Sequence, residues 1–197
     1  RSHLRTGRSA RKPRSTRTAR DPGRGQIVGA VSIHDRPEEV AERLVPGHHE
    51  GDLIMGSIAS NSAIATIVER TTGFVSLVHL PQGHTADLVA AAIAAQVSSL
   101  PASMRKTITW DRGKEMARHA RLTELTGMKV YFADPHSPWQ RGTNENTNGL
   151  LRQFFPKGSD LSVHSPHDLQ AAADNLNNRP RKRLGYRTPN EVLTTLI

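Results

Sequence analysis

Three runs rich in β-branched residues follow one another with only short polar breaks between them: GDLIMGSI (51–58), AIATIVE (63–69) and FVSLVHL (74–80). Such residues pack well on a pleated surface, and the Ser, Asn, Thr and Gly between the runs suit turns. The stretch is expected as three strands of an antiparallel meander. The period then changes. Val89, Ile93, Val97 and Leu100 recur at helical spacing within 85–100, and Pro101 ends that helix. Thr107 to Trp110 reads as a short strand, a polar helix is expected from Lys114 to Thr126 with Gly127 as its stop, and Met128 to Phe132 alternates apolar with polar. Strands separated by helices imply parallel pairing, so the sheet is expected to be mixed.

Further on, Leu150 with Phe154 and Leu151 with Phe155 mark a helix closed by Pro156 and Gly158. Ser165 and Asp168 form a capping box for a helix whose apolar face is Leu169, Ala172, Ala173 and Leu176. Thr188, Pro189 and Glu191 repeat the start signal. This α/β pattern covers residues 27–197. Residues 1–26 differ in kind: within 1–24 lie nine Lys or Arg against Asp21 alone, among Ser, Thr, Gly and Pro, and the other 173 residues hold 18 basic and 17 acidic groups. The net charge of +9 therefore resides in a basic, disordered arm that cannot bury a core. Arg8, Arg11, Lys12, Arg14 and Arg17 are its candidate DNA contacts. No run is long and apolar enough for a membrane span, and the absence of cysteine fits a reducing compartment.

Three acids stand out. Asp52 opens an apolar strand, Asp111 directly follows ITW, and Glu145 lies in the first turns of a helix among Thr and Asn. Each alone has an ordinary reading as a turn or helix-start residue. Two strands and one helix of a single sheet can bring the three together, and like charges that close require cations. Mg²⁺ or Mn²⁺ takes oxygen ligands from two or three carboxylates plus phosphate oxygens, and a pair of such ions supports in-line displacement at phosphorus. Asn148 and Arg152 share a helix face with Glu145, and Lys114 and Arg141 add positive charge nearby. His136 is a candidate substrate contact in the loop before that helix, and Trp139 a candidate stacking platform for an unpaired base.

The segments GDLI (51–54), SAIATIVERTT (62–72), TWDRGKEM (109–116), YFADPHSPWQRGTNENTNGLLRQFFPKG (131–158) and NNRPRKRLGYRTP (177–189) resemble the catalytic region of insertion sequence 30 family transposases. The resemblance implies a ribonuclease-H-like (retroviral integrase-like) mixed sheet flanked by helices. It implies an acidic triad of Asp52, Asp111 and Glu145 as catalytic and metal-holding residues, with a pair of Mg²⁺ or Mn²⁺ ions as the expected cofactor. By the same resemblance the chain is expected to cut and join DNA at an element's ends and at target DNA, as a homo-oligomer, in the bacterial cytoplasm at the nucleoid. Two departures are visible: His49 stands where the family commonly has Trp, and no helix-turn-helix reads in the sequence. A C-terminal fragment without the end-recognition domain is expected. The alternatives are a catalytically impaired DNA-binding remnant and a hybrid-cleaving ribonuclease on the same fold.

Overall fold

The computed structural model describes residues 27–197, and the arm expected over 1–26 lies outside the described residues. Six strands form one sheet: β1 (Val31–Ser32), β2 (His48–Met55), β3 (Ala63–Glu69), β4 (Val75–Leu80), β5 (Thr107–Trp110) and β6 (Lys129–Phe132), in the order β1-β6-β5-β2-β3-β4. β2, β3 and β4 pair antiparallel, as the meander reading requires, and β2, β5, β6 and β1 pair parallel. The second strand starts earlier than the apolar run and stops before Gly56, whose N–H closes the hairpin onto the Ser62 carbonyl.

Every residue of β3 is buried, because the sheet is covered on both sides. Side chains alternate between faces along a strand. Ala63, Ala65 and Ile67 join Ile108, Trp110, Val130 and Phe132 under α2 (Ala86–Ser98) and α3 (His119–Thr126). Ile64 and Val68 point the other way, onto Leu151, Phe155, Leu169 and Leu176 from α4 (Gly142–Leu151), the turn after it and α5 (Pro166–Asn177). Each fully buried large side chain contributes about 1.5–3 kcal/mol relative to exposure.

The start and stop signals mostly operate as their chemistry dictates. The Ser165–Asp168 box caps α5, the Thr188–Glu191 box caps α6 (Pro189–Thr194), and Gly127 ends α3 at φ 75°. The polar helix expected over Lys114–Thr126 is two pieces, a 3₁₀ turn at Lys114–Met116 and then α3. The break lets Met116 enter the core while the Glu115 carboxylate turns back to accept from the Trp110 indole N–H. The short α1 (Glu39–Glu42) precedes β2. No helix among the described residues is long and apolar enough to cross a membrane.

Candidate active site

Strand register brings the two aspartates together. β2 and β5 run parallel with Glu50 opposite Thr109; two residues further on lie Asp52, still on β2, and Asp111, the residue directly after β5. Between them the backbone at Gly51 lies flat against the Trp110 ring, where an added Cβ would fall 2.0 Å from a ring carbon. Only glycine lets these neighbours approach so closely. Asp111 then accepts from the Gly113 N–H at 2.9 Å, a local turn that fixes its carboxylate where the chain leaves the sheet.

Glu145 arrives on α4, and polar groups seat that helix. Asn144, fully buried, accepts from the Thr66 hydroxyl at 2.8 Å and donates to the Thr66 carbonyl at 3.2 Å. Its N–H donates to the Glu50 carboxylate at 2.9 Å, placing negative charge at the helix N-terminus, and Arg70 neutralises that buried acid from the other side. Leu151 anchors the far end of the helix in the core.

Arg141, only 5 % exposed, lies where the three elements meet. Its Nη1 donates to the Gly51 carbonyl at 3.1 Å and lies 3.3 Å from Asp52, and its Nη2 lies 3.5 Å from Asp111 and 3.8 Å from Glu145. One guanidinium thus reaches the carboxylates of all three acids. Asp52 also accepts from the Leu53 N–H at 2.9 Å and from the Asn148 amide at 3.0 Å. Burial pushes the Asp52 carboxyl above its usual range, against the pull of Arg141 and Leu53, and the charges of Asp111 and Glu145 add to the rise. Glu115 is raised for the same leading reason, burial, with Asp111 and Asp52 again among its neighbours.

The donor set is all oxygen, which matches Mg²⁺ or Mn²⁺ and not a soft metal. Among the described residues no three acids or histidines are gathered closely enough to hold an ion as they stand. Arg141 lies within ion-pair range of all three and supplies the positive charge.

The other expected contacts are distributed around this centre. Asn148 bonds Asp52 directly, and Arg141 faces inward to the acids rather than outward. His136, at φ 62°, shares an open cleft of about 430 Å³ with Asp111, Arg112 and Asp134, and Lys114 is exposed just after Asp111. Trp139 is 74 % exposed. Arg152 donates to the carbonyls of Met55 and Phe155, so part of its hydrogen bonding is spent within the protein. The five arm residues from Arg8 to Arg17 lie outside the described residues. His49, in the place where Trp is usual, is buried and bonds the Met104 carbonyl at 2.8 Å. Sequence reading marks Glu50 only as an acid near the triad and does not single out Thr66, Arg70 or Asn144; for Thr66 and Arg70 the available signal was a polar residue within or at the end of the apolar run AIATIVER.

Residues 43–138 match the integrase core domain family. The transposase for insertion sequence element IS1086 of Cupriavidus metallidurans is 54% identical over 98% of this chain and 56% of its own length. The chain belongs to the insertion sequence 30 family of transposases. Within this family, transposase InsI for element IS30A of Escherichia coli K12 is 47% identical over 97% of the chain and 49% of its own length. The chain spans about half the length of these curated relatives. A chain in the cryo-EM structure of the simian T-cell lymphotropic virus intasome with PP2A regulatory subunit B56 gamma superposes with a TM-score of 0.59 at 18% identity, covering 74% of this chain and 54% of that one. The family fold is the ribonuclease-H-like integrase core.

Proposed function

We propose that this chain is the catalytic region of a DNA transposase that cleaves strands at the ends of a bacterial insertion element and joins them to target DNA, with Asp52, Asp111 and Glu145 as the catalytic acids. One observation carries the reading: carboxylates from β2, the end of β5 and α4 all lie within ion-pair range of the single buried guanidinium of Arg141. Divalent Mg²⁺ or Mn²⁺ held by these acids would activate the attacking oxygen and stabilise the leaving oxygen of an in-line displacement. The chain's own residues do the positioning. Asn148 and the Leu53 N–H fix both Asp52 oxygens, the Gly113 N–H fixes one of Asp111, and Asn144 fixes the height of α4 and with it Glu145. The exposure of Trp139 and the open cleft at His136 support contact with a DNA end there. No side-chain nucleophile is needed, so no covalent protein–DNA intermediate forms. The active form is a homo-oligomer on paired DNA ends, working at the nucleoid of the bacterial cytoplasm.

Asp111→Asn tests the assignment, because it keeps the shape and removes the charge. Cleavage and strand transfer of labelled element-end DNA in Mg²⁺ should be abolished while binding in a gel-shift assay is retained. Strand transfer surviving in that variant refutes the assignment. An RNA:DNA hybrid run in parallel should remain intact.

A further inference from the structure

A second site lies around α4 from Glu145. Gly142, Thr143, Asn146 and Thr147 form a neighbouring stripe of that helix, one wall of a cleft of about 400 Å³. The opposite wall is cationic: Arg43 from the end of α1, and Arg181, Lys182 and Arg183 from the loop after α5. These cations come from far apart in the chain and meet with no carboxylate in the lining. The acids nearest in charge, Glu50 and Glu69, are buried and already engaged, Glu50 by Arg70 and the Asn144 N–H, Glu69 by Gly47 and Thr72. Arg183 is pinned by a 2.8 Å bond to the Thr71 carbonyl and lies against Gly73, where a Cβ would fall 2.4 Å from its guanidinium. Burial, and then the charges of Arg43 and Arg181, lower its pKa.

Two polar atoms in this lining are buried without a hydrogen-bond partner, the Thr143 hydroxyl and the Arg181 Nε. Each such buried group left unpaired costs about 1–3 kcal/mol, and four cations that meet in a cleft with no carboxylate in its lining point to an anionic ligand. We infer that this cleft binds the sugar-phosphate backbone of a DNA strand running beside the carboxylates. Oxygens of successive phosphates would meet Arg43, Arg181 and Lys182. The choice of a phosphodiester over another anion rests on the proposed function, since α4 carries both this stripe and Glu145.

The test uses the full chain and the pair Arg43→Gln with Lys182→Gln, which breaks no side-chain hydrogen bond of the described residues. Arg121→Gln with Lys129→Gln removes the same charge from exposed positions elsewhere. Binding to a short duplex of arbitrary sequence is followed by fluorescence anisotropy across a KCl series, and thermal melting checks folding. The cleft pair should lower the slope of log K against log salt by about 2, one phosphate per cation, equally for every sequence tried. The control pair should leave the slope near wild type. Equal slopes for the two pairs overturn the inference. So does a cleft-dependent loss of binding to polyglutamate with duplex binding unchanged, which would make the cleft a protein-docking site. Failure of wild-type cleavage with the cleft effect intact defeats the proposed activity and leaves the cleft standing; cleavage intact with no cleft effect does the reverse.

Discussion

Replacing Arg141 with alanine isolates the countercharge of the site. The guanidinium is 6 % exposed and Asp52 19 %, whereas Asp111 and Glu145 are 44 % and 46 % exposed. The last two are solvated well enough that their pairing contributes little. The cost therefore comes from Asp52 and from the Gly51 carbonyl, which loses its charged donor. Removing one partner of a buried pair costs about 3–5 kcal/mol, and Asp52 keeps two other donors, so the lower end, about 3 kcal/mol, is expected at neutral pH. For a domain of this size that is a melting temperature lower by roughly 6–12 °C. Asp52 is already raised by burial, and losing Arg141 removes the largest influence that lowers it. A carboxyl whose folded pKa lies above its unfolded value stabilises the fold below the unfolded pKa, about 4, and that contribution is lost as pH rises through the folded value. The deficit of Arg141→Ala against wild type should therefore shrink as pH falls from 7.5 toward 4.5, and should shrink at neutral pH when millimolar Mg²⁺ replaces EDTA. Scanning fluorimetry under these conditions reads both. A deficit indifferent to pH and to Mg²⁺ would show that Arg141 only fills space.

Gly51→Ala drives a methyl into the Trp110 ring and should cost about 3 kcal/mol or more, seen as a large loss of melting temperature in circular dichroism. Glu50→Ala strands Arg70 in the interior and frees the Asn144 N–H, so a loss of about 3–5 kcal/mol is expected in urea unfolding. Asn144→Ala breaks the two side-chain bonds to Thr66; it should cost about 2 kcal/mol and reduce strand transfer more than DNA binding. Deleting residues 1–24, with their nine cations, should lower the salt slope of duplex binding by about 0.9 for each phosphate they neutralise.

Local chemistry made much of the fold legible. Both capping boxes, the Gly127 stop and the three-strand meander follow from residues within a few positions of one another. The split at Met116 was not legible, because it is set by a pocket between α2 and the sheet and by the Trp110 indole, neither visible from the helical pattern of 114–126. Within the site, Asp52, Asp111 and Glu145 could be singled out by motif. Arg141 was legible only as positive charge near the acids and a candidate DNA contact; that it is buried and bonded to the Gly51 carbonyl was not, because only the packing of α4 against β2 turns it inward. Glu50 and Arg70 were hidden similarly, since a buried ion pair looks in sequence like two unrelated charges.

The two aspartates and the glutamate are mounted differently. Asp52 rides on β2 and Asp111 directly follows β5, strands locked by main-chain hydrogen bonds and wedged by an indole, so their spacing is set largely by the sheet. Glu145 hangs from a helix fastened at its start by the bonds of one asparagine and at its end by apolar packing. The acids proposed as catalytic therefore stand on mounts of different kind, two at the sheet and one on a helix that the Asn148–Asp52 bond ties back to it.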